Sequence, residues 1–494
     1  MLLLLALACD PCDKKDNPCV GGDDTDNAVV DTSDPNLLAQ QAYTVLDTHC
    51  ASCHDGGAIE GGISYVLDRG RLVEAGKVKP GDESSTLLFR AGSGSMPPAY
   101  ASTTITAEEV GILKAWIMAG APDWDHAEPR EWITNDEVFK AAYNDVSDQP
   151  DLQKPFIRYI SLVHLYNAGA SDGELESYRL GLSKLLNHLS WNPNISNPVA
   201  IDDLGLIFRI NLKDYRWQAV TEDPIDAWER ILRGGTDTDA LGTTVTSPPY
   251  PYAFNYDNSD FRALRETSRS RLPIIHGDWL VNAAAIPPLY NDILRIPTDH
   301  AEFLDLFGID QALNIANQDI LRAGFNDSGV SVNNRIVERH AATSGSNAYC
   351  WTSYDFGTEA GQGNIFAHPL DFVADGGEDI CSLPNGSQVY WLGTAEGARL
   401  VKGPTSIVQD PNQDDNAVVN GLSCMTCHYA GMLFKADEVG PHVAANPSDY
   451  SPADREIIEA IYRPADLQDA LEADGDRFLA AMDQTQGVRV QEQG

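Results

Sequence analysis

Two short motifs of the same pattern constrain this chain more than any other feature: Cys50-Ala51-Ser52-Cys53-His54 near one end and Cys424-Met425-Thr426-Cys427-His428 near the other. Both read C-x-x-C-H, which in an exported protein is the attachment signature of c-type haem. Two thiols about one helical turn apart can each bond a vinyl group of one porphyrin, and the adjacent His then reaches the iron. A redox dithiol would want a βαβ setting. A zinc site would want a second ligand pair nearby. The surroundings of neither motif supply these. The expectation is two covalently held haem groups, attached at Cys50 and Cys53 and at Cys424 and Cys427, with His54 and His428 as iron ligands.

The first motif comes with a second axial ligand in reach of the pattern. Met96 lies in a Gly/Pro loop, Gly94-Ser95-Met96-Pro97-Pro98, outside any periodic apolar stripe. A thioether on such a loop predicts His/Met coordination by His54 and Met96. Met118 falls inside the following helix and reads as packing.

The charge balance excludes one class of partner. The chain of 494 residues carries 73 Asp and Glu against 34 Lys and Arg, a net charge of −39. Such a surface repels phosphate backbones, so nucleic acid is not an expected ligand. It favours a basic protein partner. The run Leu5-Ala6-Leu7-Ala8-Cys9 resembles a bacterial lipoprotein box, which would make Cys9 a lipid site and put the protein in the periplasm or at the cell surface. Membrane contact is then expected only through that anchor. Cys12 with Cys19, and Cys350 with Cys381, are pairs that an oxidising compartment could join as disulfides.

Hydropathy patterning divides the chain into five segments. Residues 1–9 are a signal or lipobox remnant, and 10–34, with eight Asp, form an acidic flexible tether. Residues 35–125 read as a small helical domain. Leu38, Ala42, Val45 and Leu46 share one helical face before Cys50, and Thr106 with Glu109 forms a capping box for a closing helix. Residues 130–420 read as mixed α and β. Phe156–Ala168 and Leu175–Leu189 suggest helices, Leu206–Leu212 a strand, and Asn385-Gly386 a hairpin turn between two strand-like runs. Residues 421–494 return to helical character, with two amphipathic stretches separated near Pro464. The expected fold is a multidomain α+β protein: an all-α first domain, a mixed α/β middle domain with a β-meander, and a C-terminal helical haem-binding segment.

Residues 43–124 resemble the c-type cytochrome domain of planctomycete type. The resemblance rests on His49-Cys50-Ala51-Ser52-Cys53-His54, Gly61-Gly62-Ile63, Lys79-Pro80-Gly81-Asp82-Glu83-Ser84-Ser85, Met96-Pro97-Pro98 and Leu113-Lys114-Ala115-Trp116-Ile117. It implies a monohaem cytochrome c fold with His54 and Met96 as axial ligands. Residues 130–494 are similar to an uncharacterised region of large exported bacterial proteins that carry such domains. This second likeness rests on Tyr354-Asp355-Phe356, Asp375-Gly376-Gly377-Glu378, Leu383-Pro384-Asn385-Gly386 and Asn420-Gly421-Leu422-Ser423 with the second motif. It implies shared architecture and no activity.

The sixth ligand of the second haem is open on sequence. His442 ranks first, followed by His340 and His368, and an empty sixth position is the remaining option. A helix continuing past His428 would keep Met432 on the proximal side, and Met482 sits in a packing stripe with Phe478. Asp410, Asp414 and Asp415 read as a solvated acidic turn in preference to a calcium loop, and Arg71 and Arg90 are candidate propionate partners. The functional expectation is a dihaem c-type cytochrome that transfers electrons. The alternative is a dihaem oxidoreductase, peroxidase-like or oxidising a small substrate, with catalysis at the second haem.

Overall fold

A computed structural model describes residues 35–55, 63–98, 101, 103–124, 131–170, 172–327, 331, 333–343 and 346–485. The lipobox, Cys12, Cys19, the acidic stretch and Gly61-Gly62 lie outside the described residues. The chain divides into two compact units, Met1–Glu131 and Trp132–Gly494. Among the described residues no helix is long and apolar enough to cross a membrane.

The first unit is built from helices Pro35–Leu46, Arg69–Glu74, Thr86–Gly92 and Ala107–Met118. The expected face of the first helix, Leu38, Ala42, Val45 and Leu46, is buried against Leu113, Trp116 and Ile117 of the last. The Thr106 capping box forms: the hydroxyl accepts from Glu109 N–H, and the Glu109 carboxylate accepts from Thr106 N–H. Met118, expected to pack, is instead exposed.

The second unit is mixed α and β. Among the described residues its strands are β1 Ile157–Ser161, β2 Val199–Ala200, β3 Ile207–Asn211, β4 Gly235–Thr238, β5 Thr244–Ser247, β6 Ile274–His276, β7 Ile320–Phe325, β8 Arg335–Ala341, β9 Tyr349–Asp355, β10 Gly376–Ser382 and β11 Gln388–Thr394. One sheet has the order β2-β3-β1-β6, another β11-β10-β9-β8-β7, and β4 pairs with β5 alone. The five-stranded sheet is antiparallel throughout, with sequential neighbours, so it is the expected β-meander. Its β10–β11 hairpin turns at Asn385-Gly386, where Gly386 has φ +89°. A side chain there would also meet Ala481 Cβ at 3.0 Å, so the turn asks for glycine twice over.

Two sequence expectations are corrected here. Residues 156–168 do not form one helix: Ile157–Ser161 is a strand, and only Val163–Asn167 is helical. All five residues of β1 are buried, Arg158 and Ser161 included, so the run shows no alternation of apolar and polar positions and periodicity could not separate strand from helix. The segment 421–494, expected as a separate haem-binding domain, shares the second unit with residues 132–420. Cys424 and Leu467 belong to the same apolar core as Tyr159, Ile275 and Trp351. The two amphipathic stretches are present as helices Pro452–Ile461 and Pro464–Gln484.

The meander has two differently used faces, because side chains alternate along a strand. Cross-strand register puts Phe325, Arg335, Val337, Trp351, Ser353, Glu378 and Ile380 on one face. Arg322, Glu338, His340, Cys350, Tyr354 and Cys381 lie on the other. Cys350 and Cys381 sit directly opposite each other and are joined by a disulfide, with Cα atoms 4.0 Å apart.

Candidate functional site

The second motif is held in place by residues far from it in sequence. Its helix, Leu422–Cys427, starts at Gly421, which has φ +84°. A Cβ on Gly421 would lie 2.7 Å from the Ala285 carbonyl oxygen and 3.0 Å from the Tyr290 ring, so only glycine fits this start. The Ser423 hydroxyl donates to the buried Asp410 carboxylate and accepts from Val419 N–H. Cys424 is buried, Cys427 is half-buried, and His428 caps the helix.

The chain then turns at once. The His428 ring places Nδ1 3.1 Å from the carbonyl oxygen of Gly431. A carbonyl only accepts, so Nδ1 carries the proton and Nε2 keeps its lone pair. A carbonyl on the second nitrogen is the usual device for fixing a metal-binding imidazole in tautomer and orientation. The turn also brings Met432 round to the same place.

Cys424, Cys427, His428 and Met432 line one cavity of about 280 Å³. Its far wall is the first face of the meander, contributing Val337, Trp351, Ile380, Arg335 and Glu378, and Val408 and Val418 close one side. The wall is therefore apolar with one ion pair set into it. Arg335 donates from Nε to Asp355 Oδ1 and from Nη1 to Glu378 Oε1, each at 2.8 Å. Burial works against its charge, but the two carboxylates outweigh burial and hold the guanidinium above its ordinary range. Trp351 is positioned by Nε1–H donation to Asp474 Oδ2 at 2.9 Å.

The titration of the motif matches this chemistry. Burial pushes the Cys424 thiol up, and the charge of Glu378 adds to it. Burial also raises Cys427. Thiols held protonated are poor nucleophiles and poor dithiol redox groups. Burial lowers His428 more than Glu378 raises it, which leaves the imidazole neutral, the form that ligates a metal. The residues present fit a covalently attached haem: two thiols, one oriented neutral imidazole and an apolar chamber beside them.

At the first motif the helix Pro35–Leu46 widens into a π turn over Asp47–Ala51, followed by a short helical turn at Ser52–His54. His49 Nε2 lies 3.0 Å from Glu109 Oε1, which ties this turn to the closing helix. Burial raises the Cys50 thiol to about 11, with Cys53 adding to it. His54 Nδ1 is buried with no hydrogen-bond partner among the described residues. Met96 lines a cavity of about 380 Å³ with Pro97, Pro98, Ile105 and Val110. Among the described residues, Cys50, Cys53 and His54 are not in its wall.

His442, ranked first on sequence, lies away from the cavity of His428. His442 sits in the helix Val439–Ala445, with its ring 5.1 Å from that of Phe366. Val439 of that helix packs against Gly324 on the other face of the meander. His340 is on that same far face, bound to Glu338 at 2.9 Å, and His368 is bound to Asp371 at 3.1 Å. None of the three lines the cavity of His428. The reason is the strand period: a residue count along the chain cannot tell which face of the sheet a later helix covers. On sequence, Met432 stays on the proximal side of a helix continuing past His428, yet the helix ends at Cys427.

The other candidates resolve simply. Asp410 is spent on Ser423 and Asp415 on Lys402, and no group of three His, Cys, Asp or Glu among the described residues could hold a metal ion. Arg71 stacks on the Tyr65 ring at 4.5 Å. Sequence reasoning missed Arg335, Glu378 and Trp351. Their only signal was charge or an indole at alternate strand positions, which reads as solvent exposure until a second layer covers the sheet. Comparison with known proteins gives no match to any family model, curated protein or solved structure.

Proposed function

We propose that this protein is a dihaem c-type cytochrome that passes electrons between partners in the bacterial periplasm or at the cell surface. The observation that carries the reading is the second motif. Cys424, Cys427 and His428 line one cavity, and the Gly431 carbonyl fixes His428 with Nε2 free. Haem supplies one-electron chemistry at its iron. In this chain Cys424 and Cys427 would hold it, His428 would ligate it, and Val337, Trp351 and Ile380 would keep water from it. Cys50, Cys53 and His54 would do the same at the first haem, with Met96 as the second ligand. The net charge of −39 selects a basic redox partner and predicts electron exchange that slows as salt rises. A lipid at Cys9 would hold the protein at a membrane surface.

A second reading is an oxidoreductase working at the second haem. It is favoured by Arg335 and Glu378, a cation and an acid set into the wall of the same cavity. One experiment separates the two. The protein is matured with c-type haem, reduced with dithionite and exposed to carbon monoxide. Two covalent haems per chain and an unshifted spectrum support the carrier, and His442→Ala leaves that spectrum unchanged. A shift of about half the haem, lost in the Cys424→Ala/Cys427→Ala variant, moves the reading to the enzyme. No covalent haem overturns both.

A further inference from the structure

A second cavity, of about 410 Å³, lies in the four-stranded sheet of the second unit and has no part in the haem chemistry. It opens at the carboxyl ends of β1 and β6, which run parallel with Ser161 opposite His276. Crevices at the carboxyl ends of parallel strands are where α/β proteins hold small ligands. The volume falls within the range of small-molecule sites.

The cavity contains an ordered pair of imidazoles. His164 and His276 are stacked, with ring centroids 3.9 Å apart. His164 Nε2 is 2.8 Å from Asp278 Oδ1, which fixes that ring. The His276 ring makes no hydrogen bond to any described residue, although it is partly buried. Burial, with His164 beside it, lowers His276 to about 4, so it is a neutral acceptor at physiological pH. Stacked rings aim their in-plane lone pairs side by side and not at a common point, which argues against a shared metal ion.

The rest of the lining defines the ligand. Among the described residues it holds no Asp, Glu, Lys or Arg, so an ion would find no opposite charge in that lining. Tyr252 lies 4.6 Å from His276 and Phe254 5.8 Å, ring centre to ring centre, and Tyr252 and Trp132 are exposed at the mouth. Polar capacity is scarce. The Asn167 amide is already used in both directions by the Ile133 backbone, and the Ser161 hydroxyl accepts from Val163 N–H. A sugar would need several polar partners, and most of the lining side chains are apolar or aromatic.

We propose that this cavity binds a neutral aromatic molecule bearing a hydroxyl group, a phenol in the simplest case, with its ring against Tyr252 and Phe254 and its hydroxyl donating to the His276 imidazole. The test is calorimetric titration of the full-length protein with phenol, with anisole, which has no hydroxyl hydrogen, and with glucose. Phenol binds, and anisole binds about tenfold more weakly. His276→Phe keeps the stacking surface and lowers phenol affinity by the same factor, to the anisole level. Tyr252→Ala, at an exposed position that does not threaten the fold, weakens phenol and anisole alike. The proposal fails if phenol shows no heat of binding up to about 10 mM. It also fails if anisole matches phenol in the unmodified protein, or if glucose binds in place of phenol.

Discussion

Glu338 offers the sharpest test of how the meander is held together. Its side chain is fully buried on the far face of the sheet, ion-paired with Arg322. His340 Nε2 lies 2.9 Å from its Oε2, and the Tyr354 hydroxyl donates to the same oxygen at 3.1 Å. Arg322 is itself buried and spends Nη1 on the Pro369 carbonyl at 2.9 Å. Glu338→Gln keeps the size and an acceptor oxygen but removes the charge, leaving a buried guanidinium uncompensated. Breaking one side of a buried pair costs about 3–5 kcal/mol. Urea unfolding at pH 7, followed by tryptophan fluorescence, should show that loss. The double variant Glu338→Gln/Arg322→Leu should recover most of it, since the stranded charge is gone.

The pH dependence of the same variant has a definite sign. Burial pushes Glu338 up, but Arg322, His340 and Tyr354 together outweigh it and hold the carboxyl below its usual 4.5. A carboxylate depressed by folding contributes stability that is present above its unfolded value and lost as pH falls through its folded value. The gap between the unmodified protein and Glu338→Gln is therefore widest near neutrality and narrows as pH drops below about 4.5. A loss under about 1 kcal/mol at pH 7, or a gap that stays constant down to about pH 3, would refute the reasoning.

Two further substitutions follow from the geometry. Gly421→Ala combines a left-handed backbone with a Cβ 2.7 Å from the Ala285 carbonyl oxygen, so it should cost about 2–4 kcal/mol and reduce covalent haem at the second motif. A haemochrome assay of the variant showing full occupancy of both sites counts against the placement of that helix. Removing the Cys350–Cys381 bridge as the double alanine variant releases a loop with a sequence separation of 31, worth about 3–4 kcal/mol of unfolded-state entropy. Urea titration of that variant checks the value, and an unchanged midpoint would show that the bridge does not form in the folded protein.

What could be read from sequence was local. Thr106 and Glu109 announce a capping box by residue type and spacing alone, and Asn385-Gly386 announces a hairpin because few other residues adopt that turn. The buried face of the first helix follows from periodicity. The Cys and His spacing of the second motif is visible without any knowledge of the fold. What could not be read was anything decided by a second layer. Ile157–Ser161 is buried on both sides because it is a central strand, and that removes the alternation that would identify it. His442 looks well placed when counted along the chain, but the helix that carries it packs on the far side of the meander.

The meander explains both the error at His442 and the residues that were missed. One sheet separates two environments less than a strand's thickness apart. On one face Arg335, Trp351 and Glu378 look toward the second motif. On the other, Arg322, Glu338 and His340 form a buried ion-pair cluster, beside an apolar cluster in which Ile320 and Ile336 of the sheet join Val439, Ile458 and Ile461 of the helices that follow. The disulfide joins adjacent strands of this sheet and does not involve the second motif. If haem is attached at Cys424 and Cys427, its surroundings are set less by the motif than by alternate positions on β8, β9 and β10. Substitutions on the cavity face, Trp351 or Ile380, should then move the spectrum and potential of the second haem while sparing the first. Substitutions on the far face should change stability and leave both spectra alone. Spectra that respond equally to changes on either face would mean that the sheet does not partition the two roles.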